Sequence, residues 1–84
     1  MPKILIVDDR QDLARNLAIR LKSLGYHTSL ADDAVMALHA AVREAPDLIP
    51  MGVCMPAGGG LNAAEHVRDH PTASDIPVIF MTAS

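Results

Sequence analysis

The chain has one cysteine, one tyrosine, one phenylalanine and no tryptophan among its 84 residues. The lone thiol, Cys54, excludes an internal disulfide framework and suits a reducing compartment, so a cytoplasmic location is expected. Scarce aromatics leave no stacking platform, and seven basic against ten acidic side chains give a net charge of −3. Neither nucleic acid nor an anionic membrane surface is therefore an expected partner. Long apolar runs are missing too: "MPK" leads straight into "ILIV", which is too short for a signal peptide or a membrane span. What remains is a chain half apolar by residue count, enough for one small domain and no more.

Short apolar runs alternate with helical periodicities. "KILIV" (Lys3 to Val7) is a continuous leucine and β-branched run ending in "DD", the pattern of a strand buried on both faces of a parallel sheet. From Gln11 to Leu24, the residues Leu13, Leu17, Leu21 and Leu24 form one helical stripe, Arg15 and Lys22 point away, and Ile19 lies off the stripe. Asp12 favours the positive end of that helix, and Gly25 stops it. "HTSLA" (His27 to Ala31) reads as a polar edge strand. A second helix follows, with Asp32 or Asp33 as N-cap, Val35, Leu38 and Val42 on one face, and Pro46 at its end. Then come a strand in "DLIPMGV", a Gly-rich turn at Ala57 to Gly60, a short helix from about Leu61 to Asp69, and a fourth strand, Val78 to Met81.

Strands and helices in strict alternation imply right-handed βαβ crossovers, hence a parallel sheet with helices on both faces. Ligands of such sheets bind beyond the C-terminal strand ends. Three polar clusters should meet there: Asp8 and Asp9, the segment after Gly52, and Thr82 with Ser84.

At this point "ILIVDD", "PDLI" leading through "MP" to "GL", and "IPVIFMTA", with the spacing between them, resemble the response-regulator receiver domains of two-component signalling. The resemblance covers the whole chain. It implies a flavodoxin-like, CheY-like α/β fold, here incomplete, with about four strands and three helices over residues 1–84. It also implies that Asp8, Asp9 and the backbone carbonyl of Cys54 stand where receivers hold Mg²⁺, and that Thr82 matches the phosphate-sensing hydroxyl. Adjacent carboxylates at a strand end are suitable ligands for a hard cation.

The chain departs from the family pattern where it matters most. Counting back from Met55 and Pro56, the phosphoacceptor aspartate position is held by Gly52. Met51, Val53 and Cys54 supply no carboxylate, and Asp47 lies roughly 16 Å back along an extended strand, at the wrong end of the sheet. Pro50 removes a backbone donor from a central strand, which should leave that strand short or bulged. The sequence stops at Ser84, where a receiver continues through a further helix, strand and helix. The fourth strand is then expected to be an open edge, with Val78, Ile79, Phe80 and Met81 poorly covered and prone to self-association.

Plainer readings stand beside these. Asp8 and Asp9 are also suited to capping the first helix. The thiol of Cys54 is expected to be an inert buried hydrophobe, and His66 with His70 at i, i+4 spacing to be a solvated pair lacking a third metal ligand. The resemblance implies a non-enzymatic pseudo-receiver that works by contact with a signalling protein such as a histidine kinase. Two alternatives stay open: a Mg²⁺-dependent phosphoacceptor using another carboxylate, and a self-associating structural remnant.

Overall fold

The computed structural model describes residues 1–55 and 59–82. Four parallel strands form one sheet in the order β2-β1-β3-β4: β1 (Lys3–Val7), β2 (His27–Ala31), β3 (Ile49–Gly52) and β4 (Val78–Met81). Between them run α1 (Gln11–Ser23), α2 (Ala34–Glu44) and α3 (Gly59–Asp69). This is the doubly wound arrangement that the alternation of elements requires.

Strand β1 is the axis of the sheet. Ile4 and Ile6 turn to one face and pack with α1, whereas Leu5 and Val7 turn to the other and join the core built with α2 and α3. All four are buried, which is why the sequence shows no polar alternation there. Each contributes about 1.5–3 kcal/mol relative to an exposed side chain. Strand β2, more polar, lies at the edge as expected and pairs along its full length with β1.

Strand β3 is short, and Pro50 accounts for it. Ile49 and Val53 donate their N–H groups to the carbonyls of Pro77 and Met81, on the β4 side. By alternation, Pro50 faces β1, where it has no hydrogen to give. The ladder to β1 is thin accordingly, with Val7 opposite Met51 and an isolated bridge from Ile4 to Leu48.

The helices bury different residues from those the leucine stripes suggest. On α1, Ala14 and Ala18 face the sheet with Leu17 and Leu21 part-buried, while Leu13 is 43% exposed and Leu24 protrudes. On α2, Ala37, Ala40 and Ala41 are buried and Leu38 and Val42 flank them, but Val35 is 67% exposed. Small residues let a helix backbone approach the sheet closely, so the contact line follows alanine and the leucines sit at its margin. Ile19 is exposed, as its place off the stripe implies. Asp33 is the N-cap of α2, accepting from the Met36 N–H at 2.8 Å, and Ala45 at φ 48° ends the helix just before Pro46.

Helix α3 begins at Gly59, two residues ahead of the expected Leu61. The N–H of Gly60 donates to the Val53 carbonyl at 2.8 Å, and a Cβ at Gly60 would overlap the Gly52 carbonyl oxygen. Two of the expected turn glycines thus seat the helix against the end of β3. Ala57 and Gly58 of that turn, and Ser84, lie outside the described residues. On β4, which pairs only with β3 among the described residues, Ile79 is 54% exposed and Phe80 41%. Val78 and Met81 are better covered than expected, each packing against a core cluster.

Two substitutions separate the alanine contact line from the leucine stripe. Ala18→Leu should cost about 1–3 kcal/mol by overpacking, and Leu13→Ala should stay within about 0.5 kcal/mol of the parent. Urea denaturation followed by circular dichroism measures both; the opposite ranking would refute this packing.

Candidate functional site

The strand register brings the expected clusters to one edge. Val7 lies opposite Met51 and Gly52 opposite Met81, so Asp8, Gly52 with Val53 and Cys54, and Thr82 all follow adjacent strand ends. Asp47 is at the far end, where its Oδ2 accepts the Lys3 N–H at 2.8 Å. It belongs to a different part of the molecule from Gly52.

Asp8 is the only charged residue among the described ones that is buried, at 2% exposure. Its N–H donates to the Ala31 carbonyl, which anchors it to the β2 end. Both of its carboxylate oxygens accept from one residue. Arg10 donates its backbone N–H (2.9 Å) and Nε (3.0 Å) to Oδ1, and Nη2 (2.7 Å) to Oδ2. The guanidinium therefore meets the carboxylate side-on as a two-toothed fork, the strongest ion-pair geometry available to side chains. Hydrogen bonds from Arg10 hold the Asp8 carboxyl below its ordinary value of 3.8, against the opposing effect of burial; the Arg10 backbone N–H and charge act in the same direction. The same pair raises Arg10 further above its ordinary range.

The carboxylate also fills the space beside Gly52. A Cβ built on Gly52 would lie 2.7 Å from Asp8 Oδ2 and 2.9 Å from its Cγ. Side chains rarely approach so closely, and a free carboxylate would swing aside. Here the Arg10 fork holds it. Glycine at position 52 and arginine at position 10 are thus two halves of one steric and electrostatic arrangement.

A divalent hard cation needs several oxygen ligands converging at about 2.0–2.6 Å. Both Asp8 oxygens already accept from Arg10, Asp9 is exposed, and position 52 has no carboxylate. No group of three potential ligating side chains occurs among the described residues. In this arrangement the residues present do not fit a Mg²⁺ site.

The remaining candidates are dispersed. Thr82 is exposed one residue beyond Met81. Cys54 is exposed rather than buried, because β3 has already ended at Gly52. Neither acid caps α1 with its side chain: the N-cap residue is Arg10, without a side-chain cap bond. His66 and His70 do not form a helical pair, since α3 ends at Asp69 and the His70 Nδ1 accepts the Thr72 N–H at 3.1 Å. They line separate grooves beside α2, one of about 420 Å³ and one of about 450 Å³. Arg10 was not singled out in the sequence. Its signal was a guanidinium directly after two acids at a strand end, in "DDR".

Comparison with known proteins shows the family and the fold. A model of the response regulator receiver domain matches residues 4–84. The response regulator PleD of Caulobacter vibrioides is 38% identical over 81 residues, which are 96% of this chain and 18% of that protein. The chain spans a minor part of such relatives. Among solved structures, the N-terminal domain of a response regulator receiver protein from Methanoculleus marisnigri superposes with a TM-score of 0.93 at 29% identity, covering 98% of this chain and 67% of that one. The receiver domain of sensor histidine kinase PA1611 from Pseudomonas aeruginosa, with a magnesium ion coordinated in its active-site cleft, gives 0.90 at 30% identity and covers 99% and 68%.

Two measurements check the Asp8 arrangement. Gly52→Ala, which ordinarily stabilises a chain by about 0.4–1 kcal/mol, should here destabilise it by about 1–3 kcal/mol because the new methyl meets Asp8. Because Asp8 titrates lower when folded than when unfolded, its contribution to stability is present above pH 3.8 and lost as pH falls through the lowered folded value. The stability difference between the parent and Arg10→Ala, followed by urea denaturation, should shrink on acidification below pH 3.8; a gap that stays constant would contradict the pair.

Proposed function

We propose that this chain, which belongs to the response regulator receiver domain family of two-component signalling, is a pseudo-receiver: it keeps the receiver fold but does not take a phosphoryl group at the usual position. One observation supports the reading. Gly52 offers no side chain at the end of β3, and the space beside it is filled by the Asp8 carboxylate; on the receiver pattern this is the acceptor's place. In-line phosphoryl transfer depends on positioning and charge neutralisation, and the remaining candidates fail on position. Asp47 is at the opposite end of the sheet, and Asp8 is buried and ion-paired. Any Mg²⁺ binding through Asp8, Asp9 and the Cys54 carbonyl is weak, and Thr82 is left without a phosphoryl group to sense.

The module acts by contact instead of catalysis, in the cytoplasm, with a histidine kinase or another receiver-binding signalling protein as partner and with neither nucleic acid nor membrane. A second contact is favoured by a specific observation: β4 has one sheet partner among the described residues and presents Ile79 and Phe80. An open edge with apolar side chains is a template for pairing, so the chain associates with a second copy through β4.

Incubation with acetyl phosphate and Mg²⁺, followed by intact-mass measurement, should leave the mass unchanged; a phosphoryl adduct would overturn the pseudo-receiver reading. Light scattering after size exclusion should show a concentration-dependent dimer that Ile79→Lys abolishes. A monomer at all concentrations would remove the β4 contact.

A further inference from the structure

We propose that the Arg10 guanidinium is the resident cation of this cleft, a covalently tethered replacement for a divalent metal that both neutralises Asp8 and excludes Mg²⁺ from it. The inference deepens the pseudo-receiver reading and rests on it only in treating the Asp8 edge as the cation position of a receiver. Three features support it together. Asp8 is buried, so an uncompensated carboxylate there would be strongly unfavourable. Arg10 supplies three donors to its two oxygens, Nε and Nη2 as a planar fork and the backbone N–H beside them. The Arg10 side chain is itself 38% exposed, so its outer side is solvated while its inner edge meets the carboxylate.

The tether is short. Arg10 is two residues from Asp8 and stands at the N-cap of α1, so its backbone is fixed by the helix that follows. A metal arriving from solution meets a carboxylate whose two oxygens both already accept from Arg10, and the guanidinium stays beside it as a like charge. Exclusion is thus both competitive and electrostatic. Gly52 completes the device, because any side chain at that position would push Asp8 out of the fork. A cleft so built has the charge balance of a metal-loaded site at every metal concentration, and its surface no longer reports metal or phosphoryl state.

The test is an amide-shift NMR titration of the full chain with MgCl₂ at constant ionic strength, without any phosphoryl donor. The unaltered chain should show no saturating shift at Asp8, Asp9 or Cys54 below about 1 mM, the weak end of the range for oxygen-ligand sites. Arg10→Ala and the closer-shaped Arg10→Gln should each bind Mg²⁺ at least about tenfold more tightly, in the range usual for coupled sites. Saturation of the unaltered chain below about 1 mM would overturn the proposal by itself, whether or not a variant folds. So would a folded variant whose Mg²⁺ affinity equals that of the parent. Phosphoryl uptake by the unaltered chain would end the pseudo-receiver reading without deciding this one, since the metal titration contains no donor.

Discussion

A single buried carboxylate sets the terms for the strand ends of this molecule. Asp8 follows an interior strand buried on both faces, and its own burial leaves it two options: to lose its charge or to be matched by a cation with good geometry. Arg10 provides the match from two residues away. Once the fork is formed, the carboxylate is fixed against β3, and β3 must offer a residue without a side chain at that point. Gly52 meets the requirement, so the bare position on β3 and the Asp8–Arg10 pair belong to the same physical arrangement.

The surroundings of that pair reinforce it. Pro50 thins the ladder between β1 and β3, so the end of β3 is held mainly by β4 and by the Val53 carbonyl's bond from Gly60. Helix α3 can sit this close because Gly60 has no Cβ to meet the Gly52 carbonyl. Val53 just after the end of β3 is therefore held by close backbone packing, with Cys54 turned to solvent. The strand ends around Asp8 and Gly52 are thus shaped by packing and charge compensation.

Much of the fold could be read from the residue pattern. "KILIV" announced a doubly buried strand, the alternation of elements required parallel crossovers, and Pro50 foretold a short third strand. The buried faces of α1 and α2 were misjudged because leucine dominates a hydrophobic count, whereas close helix-to-sheet contact is made by Ala14, Ala18, Ala37, Ala40 and Ala41. For the site, the register could place Asp8, Gly52 and Thr82 together, since that depends only on where strands end. The Arg10 fork was hidden because an arginine at a helix start usually points to water. Only the geometry of the strand end reveals that it turns back onto Asp8. The His66 and His70 spacing misled for the opposite reason: it assumed a helix that stops at Asp69.

The most direct measurement is a crystal structure of the chain grown in a high concentration of Mg²⁺, read at Asp8. The account predicts the Arg10 guanidinium on both carboxylate oxygens, the carboxylate against Gly52, and no metal between them. A Mg²⁺ ion ligated by Asp8 and Asp9, with Arg10 turned out to solvent, would contradict it.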